Sequence, residues 1–334
     1  MTNASCDAIF AVLSRHFADV RVAVVNDLLD LELLAVRRPD LVFLGMKFIT
    51  LGSGSLDDEK VWLSDYLEQR GIACTGSGQK AHEFEYYKPL AKQRVIDSRL
   101  HTAAFCVIKQ GQSVAADDIS LHFPLFVKPT NRGGGCGIDS GSVVHTIEQL
   151  QTKAHALATE FHADSLVEEY LPGREFSVAI LKDQHTPGFL AMPIELVAPL
   201  DDAGIRLLSR SVKLSNSEQA LAVTDPVLKN KVATLALDVF HALRARDYGR
   251  IDIRLDGSGT PHFLEANLIP SLICGYGSFP KACVLNVGLA FEPMILRITQ
   301  LGLARACSTS GVAGASLGRT PSPHHIPRPV SFRQ

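Results

Sequence analysis

Two segments of this 334-residue chain place charged groups inside apolar strands, where a charge is costly unless something is bound to it. The first is Tyr248-Gly249-Arg250-Ile251-Asp252-Ile253-Arg254-Leu255, then Asp256-Gly257-Ser258-Gly259, then Thr260-Pro261-His262-Phe263-Leu264-Glu265-Ala266-Asn267. Alternation on both sides of an Asp-Gly turn predicts a β-hairpin. With a loop of even length, Arg250, Asp252, Glu265 and Asn267 share one face, and Ile251, Ile253, Leu264 and Ala266 the other. An odd loop without a compensating bulge breaks that arrangement. Asp252, Glu265 and Asn267 then offer three hard oxygen ligands, the kind magnesium takes while phosphate oxygens and water complete its octahedron. Arg250 beside them suits a phosphoryl group in transfer. The same face also reads, alone, as a solvated polar surface.

The second segment, Phe123-Pro124-Leu125-Phe126-Val127-Lys128-Pro129, ends an apolar strand on a lone lysine. Asn131-Arg132-Gly133-Gly134-Gly135-Cys136-Gly137 follows, and its glycines let backbone N–H groups approach an anion closely. Separately, the lysine reads as one that snorkels at a strand edge and the loop as a flexible hairpin connection. The loop has neither the Gly-Lys-Ser/Thr of a Walker loop nor the third glycine of a dinucleotide fingerprint.

The elements that must hold these groups follow from periodicity. Val20–Val25, Leu41–Gly45 and Ile72–Thr75 read as short strands, and residues 56–70 as a helix, which together predict a small parallel α/β layer over residues 1–85. A helix over Tyr87–Ser98 and strands at 104–108, 125–128 and 166–171 predict an α+β unit over 86–175. A strand at 176–181, a long helix from Pro226, the hairpin and a last helix over Lys281–Leu303 fill a third unit over 176–303. Beyond Ala304 the composition turns to Ser, Gly, Ala and Pro, which predicts a disordered tail over 304–334.

Composition narrows the function. Thirty-three basic against 35 acidic residues leave a net charge of −2, which argues against a nucleic-acid binder or a protein held electrostatically on a membrane. No apolar run is long enough to span a bilayer and the start does not read as a signal peptide, so a cytoplasmic protein is expected. The seven scattered cysteines fit reduced thiols.

Segments 123–138, 166–181 and 248–270, in this order, resemble the signature segments of the ATP-grasp superfamily, and within it the D-alanine-D-alanine ligase branch, over about Gly71 to Leu301. The resemblance implies an ATP-grasp fold: an N-terminal parallel α/β layer followed by two α+β subdomains that sandwich ATP. It implies that Lys88 and Lys128 hold the phosphates and that Arg132, Gly133, Gly134 and Gly135 belong to a mobile lid. Glu168, Glu169, Tyr170 and Leu171 become the hinge against adenine, with Glu175 on the ribose. Lys213 and Arg250 become the catalytic cations, and Asp252, Glu265 and Asn267 the ligands of two magnesium ions, with manganese as a substitute. It also admits a homodimer.

The departures from that branch cluster where amino acids bind. The opening Ser-x-Glu segment and the His-Gly-x-x-Gly-Glu-Asp-Gly segment are absent, the region of the latter being Gly45-Met46-Lys47-Phe48 through Asp58. Gly134 stands where the lid serine is usual, and Asn267-Leu268-Ile269-Pro270-Ser271-Leu272 where Asn-x-x-Pro-Gly-Met is usual. The expected activity is therefore an ATP-dependent ligase that joins an amino acid to a phosphate-activated acceptor in specialised metabolism, of mycosporine or dipeptide type. Lys47, Ser271, Tyr276 and Ser278 are expected to line its substrate pocket. The alternatives are a D-alanine-D-alanine ligase of cell-wall synthesis and a non-catalytic ATP-binding regulatory protein. A dehydrogenase built on the first layer is weakened by the missing glycine fingerprint.

Overall fold

A computed structural model describes residues 1–52, 58–201 and 204–313. The chain begins with α1 (Asn3–His16), α2 (Leu28–Val36), β1 (Leu41–Val42), β2 (Phe48–Leu51), β3 (Glu59–Trp62), α3 (Leu63–Glu68), β4 (Ala73–Cys74) and α4 (Gln79–Tyr86). Next come α5 (Lys88–Asp97), β5 (Phe105–Ile108), β6 (Leu125–Pro129), β7 (Val143–Val144), α6 (Ile147–Phe161) and β8 (Ser165–Glu169). The remainder is β9 (Glu175–Lys182), β10 (Phe189–Val197), α7 (Arg210–Ser215), β11 (Gln219–Ala222), α8 (Pro226–Ala242), β12 (Tyr248–Leu255), β13 (Pro261–Asn267), α9 (Ser278–Val287) and α10 (Phe291–Ala313).

Two antiparallel sheets carry the site, one of five strands in the order β11-β10-β9-β12-β13 and one of four in the order β5-β8-β6-β7. Their period-2 patterns decide what each face does. In the larger sheet Phe176, Val178, Ile180, Ile251 and Ile253 point into a core with Val232, Leu235, Val239 and Phe240 of α8. Burial of such side chains supplies roughly 1.5–3 kcal/mol each. α8 starts where it does because Asp225 accepts from the backbone N–H groups of Val227 and Leu228, and Pro226 needs no partner in the first turn. On the opposite face Ala179, Leu181 and Tyr248 pack with Phe279 and Cys283 of α9 and Met294 and Ile298 of α10. The same alternation brings Glu175 and Ser177 of β9 and Arg250, Asp252 and Arg254 of β12 onto that second face, beyond the end of this packing. In the smaller sheet Leu125, Val127 and Val167 pack with Leu150 and Leu157 of α6, which turns Phe126, Lys128 and Glu168 the other way.

Several elements differ from the sequence-based expectation. Val20–Val25 forms no strand: β1 pairs in parallel with β4 alone, Val22 and Val24 are exposed, and a β-prone run without a neighbouring ladder stays irregular. The helix expected over 56–70 is split. Val61 and Trp62 pair with Ile49 and Phe48 in an antiparallel hairpin, and only Leu63–Glu68 is helical. The last helix is two, because Gly288 takes φ +65 and caps α9, and α10 leaves at 104°. α10 continues through Ala313, ten residues into the expected tail, whose remainder, 314–334, lies outside the described residues.

Candidate functional site

A cavity of about 670 Å³ lies between the two sheets. Every residue singled out above for nucleotide, metal or phosphoryl chemistry lines it: Lys88, Lys128, Arg132, Gly133, Gly134, Gly135, Glu168, Glu169, Tyr170, Leu171, Glu175, Lys213, Arg250, Asp252, Glu265 and Asn267. Ser271, Tyr276 and Ser278 line it as well. Lys47 does not, and instead forms a 2.8 Å ion pair with the buried Glu85, whose other oxygen is 3.3 Å from His82 Nδ1.

The hairpin reaches its geometry by a route the alternation alone did not fix. β12 ends at Leu255 and β13 begins at Pro261, so the loop is five residues long, an odd number. A register shift between Asp252 and Ile253 compensates: Arg250 faces Asn267 and Asp252 faces Glu265, but Ile253 faces Phe263. Leu264 is the extra residue of this bulge. Phe263 takes the core position expected of Leu264, and Leu264 turns to the cavity.

Charges in the cavity hold one another. Arg250 donates from Nε and Nη2 to the two oxygens of Asp252, at 3.0 and 2.9 Å, a bidentate pair. Asn267 Nδ2 donates to Asp252 Oδ2 at 3.0 Å, and the Ser177 hydroxyl donates to Oδ1 at 2.8 Å. Lys88 lies 3.5 Å from Glu265 and donates to the main-chain oxygen of Arg132 in the lid at 2.5 Å. Burial lowers the Lys88 ammonium and the nearby Lys128 and Lys47 push it further, against the pull of Glu265. Lys128 is raised despite its burial because Glu168, 2.6 Å away, and Glu265 stabilise its charge. Burial alone would raise Glu265, yet Lys88, Lys213, Lys128 and Arg250 together bring it down to about 2.

Glu168 is committed inward: it is buried between Lys128 and Lys92, and the two cations overcome burial to hold it ionised. Glu169, by contrast, turns outward to His122. Lys92, Ser177, Arg254 and Leu264 were not singled out beforehand. Three of them carried a signal: Lys92 is four residues after Lys88 on α5, Ser177 alternates with Glu175, and Arg254 continues the even-numbered face of Arg250 and Asp252.

The loop expected to form the lid needs glycine for a definite reason. Gly135 has φ +75, and a Cβ there would lie 2.7 Å from the backbone nitrogen of Arg210 and 3.0 Å from the carbonyl of Leu208. The glycine loop thus rests directly on the backbone leading into α7, the helix that carries Lys213. Asp252, Glu265 and Asn267 stand on adjacent strands and line one cavity, and their side-chain oxygens are the hard donors that a divalent cation would take.

The family described as D-ala D-ala ligase C-terminus matches residues 98–300, more than half of the chain. The chain belongs to the D-alanine-D-alanine ligase family. A D-alanine-D-alanine ligase of Glaesserella parasuis serovar 5 is 32% identical to this family member over 241 residues, 72% of this chain and 75% of that protein. Uncharacterized protein y4sG of Sinorhizobium fredii is 34% identical over 210 residues, 62% of this chain but 60% of that protein. The crystal structure of D-alanine-D-alanine ligase from Bacillus anthracis complexed with ATP superposes with a TM-score of 0.71 at 18% identity, covering 92% of this chain and 96% of that one, and shows the shared ATP-grasp fold. The chain is an ATP-dependent ligase of the D-alanine-D-alanine ligase type.

Proposed function

We propose that this ligase transfers the γ-phosphoryl of ATP to an oxygen of an acceptor, a carboxylate or an enol, and then joins the activated carbon to the amine of an amino acid. In the first step the acceptor oxygen bonds to the γ-phosphorus as the bond to the bridging oxygen breaks and ADP leaves. In the second the amine attacks the activated carbon, phosphate departs with the bonding pair, and the nitrogen loses a proton. Phosphoryl transfer of this kind is mostly positioning and neutralisation of charge. Lys88, Lys128, Lys213 and Arg250 are the cations that let two anionic reactants approach, and the lid over 132–135 keeps water from the activated intermediate. Magnesium held by Asp252, Glu265 and Asn267 neutralises phosphate charge when bound. Among the described residues no single helix is long and apolar enough to cross a membrane.

One observation carries the choice of acceptor. Ser271, Tyr276 and Ser278 line the same cavity as the residues assigned to nucleotide and phosphoryl chemistry, and the Tyr276 hydroxyl donates to the main-chain oxygen of Lys213. In the region of the missing His-Gly segment stands Lys47, paired to Glu85. This supports an acceptor other than a second D-alanine, in natural-product or specialised amino-acid metabolism. The second reading, D-alanine-D-alanine ligation, is favoured by the 32% identity to the Glaesserella parasuis enzyme. Phosphate release with ATP, magnesium and a panel of amino acids, singly, paired and mixed with carboxylate and cyclic enol acceptors, separates the two. Turnover with an amino acid only in the presence of a distinct acceptor supports the proposal; efficient dipeptide formation from D-alanine alone overturns it.

A further inference from the structure

Arg254 is a buried arginine in the wall of the cavity, four residues along β12 from Arg250. At about 3.4 Å per residue it stands roughly 13 Å from Arg250 along the strand, too far to act on the same phosphoryl group. Its guanidinium instead ties together three segments of the cavity wall. Nη1 donates to Glu175 Oε2 at 3.0 Å, across the strand pair in which the two residues are direct partners. Nη2 donates to the Tyr170 hydroxyl at 3.3 Å and to the carbonyl of Arg206 at 3.2 Å, and the guanidinium carbon lies 5.4 Å from the Tyr170 ring centroid. Its buried Nε has no hydrogen-bond partner among the described residues. Phe126, Leu171, Leu207 and Leu264 are apolar residues lining the same cavity.

We propose that Arg254 is a positioning residue that sets nucleotide affinity and ribose selectivity by fixing Glu175 and Tyr170. This rests on the reading that the cavity binds ATP. The arginine engages only one carboxylate oxygen of Glu175, and no protein hydrogen bond engages Oε1 among the described residues, so that oxygen is available to accept from sugar hydroxyls. A carboxylate tied to a buried arginine across a strand pair keeps its rotamer, and a fixed acceptor is needed to distinguish a ribose from a deoxyribose. Without the guanidinium, Glu175 would lose the one side chain that hydrogen-bonds its carboxylate among the described residues, and the Tyr170 segment would lose its tie to β12.

The test is equilibrium binding of ATP and of 2′-deoxy-ATP, with magnesium, by calorimetry to wild type, Arg254→Met, Arg254→Lys and Glu175→Gln, with circular dichroism melts of each protein without nucleotide. Wild type is expected to favour ATP by about tenfold or more, the worth of a hydrogen bond to a charged group. Arg254→Met should weaken ATP by a similar factor and change 2′-deoxy-ATP much less, so that the ratio falls toward one. Glu175→Gln should reproduce the fall, and Arg254→Lys should lie between. Unchanged ATP affinity in Arg254→Met, or an equal loss of both nucleotides, overturns the proposal. Should Arg254→Met fail to fold, the ratio in Glu175→Gln and Arg254→Lys decides: two wild-type ratios overturn it. Wild type that binds no ATP refutes the reading of the cavity itself, a different outcome.

Discussion

Glu265→Gln is the most informative single change, because glutamine keeps the shape of the side chain and removes only its charge. Glu265 sits among Lys88, Lys213, Lys128 and Arg250, which bring its carboxyl from 4.5 down to about 2 in spite of burial. Net of burial, that lowering corresponds to a preference for the charged carboxylate on the order of 3 kcal/mol, an upper bound on what the cluster contributes. The sign follows from the lowered folded-state value. The stabilisation is fully present above the unfolded value near 4.3 and is lost as pH falls through about 2. The nucleotide-free variant should therefore be less stable by up to about 3 kcal/mol, or about 4 °C in melting temperature for a chain this long, and by the same amount at pH 6 and pH 8. Substrate-dependent ADP release should fall by at least about 10² because the anionic oxygens proposed to ligate the metal are replaced by one neutral amide oxygen and the lysines are left less compensated. Urea melts at both pH values and coupled ADP release measure the two effects. Wild-type stability in the variant refutes the electrostatic account of the cluster, and near-normal turnover refutes the assignment of Glu265 to the metal site.

Gly135→Ala should push the lid off the backbone of residues 208–210, since its Cβ would meet Arg210 N at 2.7 Å and φ is +75 there. The expected result is a rise in phosphate released per product formed, as water reaches the intermediate, with melting temperature little changed; a wild-type ratio counts against the lid. Lys92→Met should destabilise the fold toward the low end of about 3–5 kcal/mol, because Glu168 keeps only Lys128, and Lys92→Met with Glu168→Gln should recover part of the loss in denaturant melts. If the double variant is no better than the single, the pair is not what holds Lys92 in place.

The hairpin shows how far the alternation of a sequence carries and where it stops. Arg250, Asp252, Glu265 and Asn267 were placed on one face by parity, and they share it, because the bulge falls at Leu264, on the turn side of all four. Had the bulge fallen beyond Glu265, the same parity argument would have sent Glu265 into the core. What parity could not reveal was the bulge itself: nothing in Phe263-Leu264 says which of two apolar residues the core under α8 will take, and the larger ring took it. The first layer failed for a related reason. Val20–Val25 has strand composition, but a strand is a relation between two segments, and its neighbours β1 and β4 had already found each other. Long-range ion pairs are equally silent in one dimension. Lys47 looks like a pocket residue because of the motif it replaces, but 38 positions later Glu85 is buried 2.8 Å from its ammonium. A lysine held by a buried carboxylate cannot be moved freely to a substrate, since the carboxylate would be left unpaired. Lys47 is therefore a fixed cation outside the cavity lining, set in place by Glu85, whose other oxygen meets His82, and that arrangement joins residues 45–48 to α4 in a way no linear motif encodes.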